Sequence, residues 1–157
     1  MTETPKSPDG SSSQRPLRSP REEVIPELLR TADIVRRRIA SILAPYDVTP
    51  QQYNVLRILR GAGPAGLPTL DIGERLIEDT PGITRLIDRM ETHGWVIRER
   101  SREDRRLVIC RLTPVGSDLL AQLDPIVAAA PASVLSRLPE ASARQLRALL
   151  ARVRQPC

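Results

Sequence analysis

The chain has 157 residues, of which 40% are apolar and 27% charged, and its net charge at pH 7 is +5. This length and apolar content suit one domain with a hydrophobic core and exclude two independent domains of usual size. No apolar run approaches the roughly 18 residues of a membrane span, and no hydrophobic signal core stands at the N-terminus, so we expect a cytoplasmic protein. Two cysteines and one histidine are too few for a disulfide framework or a zinc site of usual spacing.

Arginine dominates the basic residues: of 24, all except Lys6 are arginine. Guanidinium groups form paired hydrogen bonds with phosphates and guanine edges, which favours nucleic acid as a partner. A GC-rich genome would produce the same bias. Composition therefore leaves both explanations open, and the placement of the arginines must decide between them.

The N-terminal segment and the first helix differ sharply in composition. Residues 1–22 are rich in proline, serine and charge, which predicts a disordered tail. A first helix is predicted from about Ile25 to Ala44, because its apolar residues recur at intervals of three and four. This regularity indicates a partner helix, although an ordinary core helix gives similar spacing. The apolar stripe consists of Ile25, Leu28, Ala32, Val35, Ile39 and Ile42.

The next segment predicts two helices joined by a glycine-rich turn. Residues 49–52, Thr-Pro-Gln-Gln, form a capping box that begins a second helix, which is predicted to stop at Gly61. The glycines from Gly61 to Gly66 match the spacing of a dinucleotide-binding turn. That motif needs a strand before it and a helix directly after it, whereas here a helix precedes and Pro68 follows, so we interpret the glycines as a simple turn. A third helix is predicted over residues 69–77.

The fourth helix has one apolar and one polar face. Thr80 is its predicted N-cap and Pro81 its first helical residue. Apolar residues at positions 83, 86, 87 and 90 define the buried face. Small residues in the first turn allow close approach to a surface, and the positive helix end favours phosphate. The opposite face carries Pro81, Gly82, Thr84, Arg85, Asp88 and Arg89.

A charged hairpin follows. Residues 96–100 and 107–112 alternate in the manner of paired strands, and Cys110 is expected to be buried in the second of them. From Arg98 to Arg111 there are six arginines against three acids. This local surplus indicates a binding surface for a polyanion more than a general compositional bias, although a solvated loop is the simpler alternative.

Two further helices are predicted after the hairpin. Thr113 and Pro114 begin the first by the cap-then-proline rule, and the last is placed near residues 140–154. The helices at both chain ends carry more apolar surface than the central unit can cover, which predicts a homodimer. In the last helix the apolar stripe consists of Leu146, Leu149, Leu150 and Val153.

The order of these elements resembles the MarR (multiple antibiotic resistance regulator) family of winged helix-turn-helix transcriptional regulators. The resemblance covers about residues 23–153, and its matching positions are Ile83 to Glu91, Gly94, Asp104-Arg105-Arg106, Leu112-Thr113 and Gly116. It implies a mainly α fold with a small two- or three-stranded β wing. Residues 49–113 would form the DNA-binding region, and residues 23–48 and 114–154 the dimerisation helices.

The resemblance also implies how DNA would be bound. The fourth helix would enter the major groove with Thr84, Arg85 and Arg89, while Pro81 and Gly82 shape its close approach. Thr80 would belong to the same DNA-binding surface. At the tip of the hairpin, Arg106 matches an arginine that enters the minor groove, and Asp104 matches the acid that braces it. Arg102 and Arg105 would bind phosphates.

A dimer of this kind would place two fourth helices about 34 Å apart on a pseudo-palindromic promoter, most simply as a repressor. A small-molecule effector could release it by favouring another dimer geometry. The chain departs from the family's effector patterns, because Tyr46, Tyr53 and Trp95 are its only aromatic residues and neither cysteine lies in the first helix. No cofactor is expected.

Two other functional classes stay open at this point. A winged-helix protein that binds another protein would be favoured if nearby acids neutralised the arginines of the fourth helix and the hairpin. The acids concerned are Asp88, Glu91, Glu99 and Glu103. An enzyme is the second alternative, but no pair of carboxylates, nucleophile with a base or metal cluster can be singled out.

Overall fold

The computed structural model describes residues 19–76, 82–101 and 104–155. The helices in these ranges are α1 (Pro20–Leu43), α2 (Pro50–Ala62), α3 (Thr69–Arg75), α4 (Ile83–Thr92), α5 (Pro114–Ala128), α6 (Ala130–Val134) and α7 (Glu140–Val153). The strands are β1 (Leu67–Pro68), β2 (Val96–Arg100) and β3 (Val108–Leu112), which form an antiparallel sheet in the order β1-β3-β2. The predicted fold class, mainly α with a small wing, is confirmed.

The chain divides into two compact units, Met1–Asp33 and Ile34–Cys157. The first contains the N-terminal half of α1, and the second contains the rest of α1 and all the other elements.

Helix α1 begins at Pro20, five residues before the predicted start at Ile25. Ser19 and Glu22 form a capping box: the Ser19 N–H donates to the Glu22 carboxylate at 2.9 Å, and the Glu22 N–H donates to the Ser19 hydroxyl at 3.3 Å. The prediction of a disordered tail was therefore wrong for residues 20–22. Its other residues, 1–18, lie outside the described ranges.

The second helix begins as its capping box predicts. The Gln52 N–H donates to the Thr49 hydroxyl at 3.2 Å, and the Thr49 N–H donates to the Gln52 amide oxygen at 2.8 Å. Helix α2 continues to Ala62, one residue beyond the predicted end, and Gly63 stops it with a φ of 67°. A 3-10 turn and the short strand β1 follow, so the glycines form a turn and not a nucleotide-binding loop.

Helix α4 begins later than predicted. Gly82 is its N-cap and has a left-handed conformation, with a φ of 92° and a ψ of 37°. Those dihedral angles interrupt the helical backbone, so Ile83 is the first helical residue and Thr80 cannot be the N-cap. Thr80 and Pro81 themselves lie outside the described residues. Helix α3 ends at Arg75, two residues before its predicted end at residue 77, because the C-cap residue Leu76 has an extended backbone with a ψ of 145°.

The junction between β3 and α5 explains a signature noted in the sequence, Leu-Thr-x-x-Gly. The Thr113 hydroxyl accepts a hydrogen bond from the Gly116 N–H at 3.0 Å and lies 2.7 Å from the carbonyl of Gly94, to which it donates. A Cβ atom at Gly116 would stand 2.2 Å from the carbonyl oxygen of Trp95. Glycine is therefore required at this position, because the first turn of α5 lies directly against the backbone of Trp95, the residue before β2.

The core of the second unit lies where α2, α4 and α5 meet the sheet. Each fully buried aliphatic side chain contributes about 1.5–3 kcal/mol by leaving water. These contacts fix the position of α4 and the hairpin relative to α2 and α5. The largest fully buried side chains are Leu43, Val55, Leu56, Leu59, Ile72, Ile87, Met90, Val96, Cys110, Leu120 and Leu123.

Candidate nucleic-acid interface

Helix α4 presents the polar face that its sequence predicts. Ile87 and Met90 are fully buried, whereas Thr84, Arg85 and Arg89 are exposed. No acid in the described part of the chain pairs with Arg85 or Arg89. Both guanidinium groups are thus available to an external anion.

Both acids of α4 pair with the same arginine of the hairpin, whose single positive charge offsets one of their two negative charges. Arg98, on β2, contacts the Asp88 carboxylate at 2.7 Å and the Glu91 carboxylate at 2.6 Å. Glu91 also accepts a hydrogen bond from the Arg98 backbone N–H at 3.0 Å. The hydrogen bond from the Arg98 side chain lowers the pKa of Glu91 and raises the pKa of Arg98 itself.

A second ion pair lies across the sheet. Arg111 on β3 binds the Glu99 carboxylate of β2, and its Nε donates to the carbonyl oxygen of Pro64 at 3.0 Å. Glu99 is therefore also neutralised within the sheet. Glu103, the fourth acid that the protein-binding alternative invokes, lies outside the described residues.

The hairpin tip is closed by the side chain of Asp104. Its carboxylate accepts a hydrogen bond from the backbone N–H of Arg106 at 2.9 Å, and its carbonyl accepts one from Leu107 at 2.9 Å. The resemblance implies that Asp104 braces Arg106; among the hydrogen bonds of the described residues, its carboxylate fixes the backbone that carries the Arg106 side chain. Arg102 lies outside the described residues.

The positive charge that remains is concentrated on α4 and the hairpin. Within the described ranges, five exposed arginines there have no acid partner: Arg85, Arg89, Arg100, Arg105 and Arg106. Among the described arginines of α4 and the hairpin, neighbouring acids pair only with Arg98 and Arg111. The extensive neutralisation that would have favoured a protein-binding surface is therefore not present in these ranges. The surface can attract a polyanion.

The residues predicted for dimerisation are incompletely covered in one chain. On α7, Leu146, Leu149 and Val153 are 39%, 47% and 65% exposed, and no residue of this helix is buried. Leu150 on α7 and Leu28, Val35 and Ile39 on α1 are half-buried, and Ala32 is exposed.

A cavity of about 500 Å³ lies between the end of α1, α2, α5 and α6. Its polar side consists of Asp124, which accepts hydrogen bonds from the Tyr53 hydroxyl at 3.1 Å and from Arg60, and of Arg57, whose guanidinium lies 5.9 Å from the Tyr53 ring centre. Sequence reasoning missed Arg57, Arg60 and Asp124, because partners 64 and 71 residues apart leave no local pattern. The apolar lining consists of Val35, Ile39, Val127, Ala128, Ala130, Pro131, Val134 and Leu135.

Comparison with known proteins gives these features a context. The model of the MarR family matches residues 48–108. The HTH-type transcriptional regulator YkoM of Bacillus subtilis is 34% identical over 105 residues, which cover 67% of each chain. A MarR transcription factor from Planctomyces limnophilus is 36% identical, and the aligned region covers 85% of this chain and 97% of that one, with a TM-score of 0.67. The chain belongs to the MarR family of transcriptional regulators.

One MarR structure from Escherichia coli, a cysteine-to-serine variant in complex with operator DNA, is 26% identical over 88% of this chain, with a TM-score of 0.77. The matched segments span 44% to 67% of the first curated relatives' own lengths.

Among the described residues, every helix is too short or too polar to cross a membrane.

Proposed function

We propose that the protein is a homodimeric repressor that acts in the cytoplasm on pseudo-palindromic promoter DNA. Helix α4 enters the major groove, and the hairpin tip, residues 101–107, enters the adjacent minor groove. The observation that carries this proposal is the set of five exposed arginines without acid partners on these two elements. The MarR protein with operator DNA, which shares the fold, supports the same assignment.

The roles within the interface follow from side-chain chemistry. Arg85 and Arg89 can form paired hydrogen bonds with guanine or phosphate oxygens, and Thr84 can bond to bases or phosphates. Gly82 at the N-cap allows the backbone of the first turn to approach the duplex. Thr80, Pro81 and Arg102 keep their predicted contacts with DNA in this proposal on sequence grounds alone.

At the hairpin tip, Arg106 is the side chain proposed for the minor groove, where a narrow A·T-rich segment has a strong negative potential. The hydrogen bond from the Arg106 N–H to Asp104 limits the backbone freedom that would be lost on binding. Arg105, next to it, is proposed to bind phosphate.

The test is fluorescence anisotropy with a labelled promoter fragment that the pure protein retains from its own genome. Arg85→Ala and Arg106→Ala should each weaken binding by about 1–3 kcal/mol, or roughly 5- to 150-fold. Arg137→Ala is the matched control, since it removes the same charge from an exposed position outside α4 and the hairpin. The logarithm of the binding constant should fall linearly with the logarithm of the salt concentration, with a slope of about −0.9 for each neutralised phosphate.

Equal losses in Arg137→Ala and Arg106→Ala would remove the hairpin from the mechanism. Affinity that does not depend on salt would contradict DNA binding through the arginines altogether.

The dimer is proposed to form through α1 and the terminal helices, with Leu146, Leu149, Leu150 and Val153 of α7 in the interface. Leu149 is 47% exposed in one chain, so Leu149→Glu should leave the protomer folded and split the dimer. Ala151→Glu is the control, because it adds the same charge on the opposite side of α7. Light scattering measures the mass of each variant, and an intact Leu149→Glu dimer would contradict this interface.

We also propose that a small organic anion releases the DNA by binding in the cavity. Apolar walls beside Arg57, the lining arginine that is not paired with Asp124, suit an apolar ring that carries a carboxylate. Benzoate at millimolar concentration should weaken promoter binding by the wild type and have less effect on Arg57→Ala. An equal effect on both would place the anion elsewhere.

A further inference from the structure

Arg98 links the two elements of the proposed interface without itself belonging to the exposed arginine set. It lies on β2, and its guanidinium contacts two carboxylates on α4, Asp88 at 2.7 Å and Glu91 at 2.6 Å. These acids are three residues apart, so they stand on neighbouring turns of the same side of the helix. A single side chain of the hairpin therefore contacts two successive turns of α4.

Glu91 holds Arg98 at two separate points. One carboxylate oxygen accepts from the Arg98 Nε at 2.9 Å and from its terminal nitrogen, and the other accepts from the backbone N–H at 3.0 Å. The Arg98 side chain is only 26% exposed, which protects these bonds from full solvent screening. Backbone and side chain of the strand are thus tied to the same acid, which fixes the hairpin against α4.

The same contacts decide the charge of the surface that faces DNA. Asp88 is 49% exposed and lies three residues after Arg85 and next to Arg89 in the sequence. Without Arg98, Asp88 would be free to pair with Arg85 in an i, i+3 arrangement or to repel phosphate. With Arg98 in place, the acid is occupied and both arginines of α4 stay available.

We infer that Arg98 is a positioning residue that sets the sequence specificity of DNA binding, by fixing the hairpin to α4 and by occupying Asp88 and Glu91, while touching no DNA itself. Specific binding requires α4 and the hairpin to reach two grooves in one fixed spacing, whereas non-specific binding depends mainly on net charge. The inference rests on the proposed function.

The experiment compares the promoter fragment with a mixed-sequence duplex of equal length, in the full chain. Arg98→Ala should lower promoter affinity roughly tenfold and reduce the ratio of promoter to mixed-sequence affinity. The triple variant Asp88→Asn, Glu91→Gln, Arg98→Ala removes the two acids together with their partner. This triple variant should regain affinity for the mixed-sequence duplex, while its ratio of promoter to mixed-sequence affinity stays low.

Arg98→Lys serves as a second probe, because it keeps the charge but lacks the planar fork that contacts two carboxylates. It should bind the mixed-sequence duplex like the wild type and show a reduced ratio. This variant also keeps the test informative if Arg98→Ala unfolds, which circular dichroism would show.

Three outcomes have distinct meanings. A wild-type ratio in Arg98→Lys, or in the triple variant, would overturn the positioning role and leave the proposed function intact. A reduced ratio in both variants, with normal helical content, supports it. A wild type that does not distinguish the promoter from the mixed-sequence duplex would overturn the proposed function itself.

Discussion

Replacement of Gly116 by alanine tests how tightly α5 is joined to the hairpin. The added Cβ atom would stand 2.2 Å from the carbonyl oxygen of Trp95, 3.0 Å from its carbonyl carbon and 2.9 Å from a methyl carbon of Leu112. Carbon atoms in favourable contact are about 3.5–4.0 Å apart, so backbone must move by roughly 1 Å. The Leu112 side chain can rotate, but the Trp95 carbonyl is backbone.

The expected cost is about 1–3 kcal/mol of unfolding free energy, the range for overpacked sites. For a chain of this size that corresponds to a fall in Tm of roughly 3–10 °C. Movement of the first turn of α5 would also lengthen the hydrogen bonds of Thr113, which cap this helix and join it to Gly94. Thermal unfolding is followed by circular dichroism at one protein concentration, since dimer dissociation would otherwise shift Tm.

The matched control is Gly61→Ala. Gly61 lies in the last turn of α2, and a Cβ atom there would meet nothing within 4 Å. This variant should be neutral or gain up to about 1 kcal/mol, because alanine restricts the unfolded chain. If Gly116→Ala unfolds at the same temperature as Gly61→Ala, the close contact with Trp95 is not a constraint in the folded protein.

Two further predictions concern titratable groups. Burial raises the pKa of Cys110 to about 11, so in a Cys157→Ser variant at pH 8 this thiol should react with a disulfide reagent only on unfolding; rapid reaction of the folded protein would contradict its burial. The pKa values of Asp124 and Glu91 are lowered because each accepts a hydrogen bond from an arginine side chain. The stability they contribute is present above the unfolded pKa of about 4 and is lost as pH falls through the folded values. Urea unfolding between pH 6 and pH 3 should show this loss, and Asp124→Asn should show less of it; identical pH profiles would refute a role for this carboxylate.

Helix starts were predictable where a cap and its partner lie within four residues. Thr49 and Thr113 cap α2 and α5 as their sequences indicate. The same type of signal at Ser19 was overlooked because proline and serine around it favour disorder. The start of α4 was misplaced because the left-handed conformation of Gly82 outweighs the proline rule, and glycine permits many conformations that sequence alone does not choose between.

Side-chain partners could be predicted much less well. The buried face of α4 followed from its periodicity, yet the pairing of Arg98 with Asp88 and Glu91 depends on how the hairpin folds back on the helix. Similarly, Asp124 meets Arg60 only after α2 and α5 have packed. Strand β1 is two residues long and contains Pro68, so no local sequence pattern indicates a strand there. It is a strand because it pairs with β3.

The shared hydroxyl of Thr113 has a mechanical consequence for any signal that reaches α5. Because the same oxygen caps this helix and bonds to the residue two positions before β2, the helix axis cannot tilt or slide without displacing the base of the hairpin. The absence of a side chain at Gly116 leaves no intervening layer that could absorb such a shift. A rearrangement of the terminal helices that moves the start of α5 would therefore also displace the strand pair beside α4.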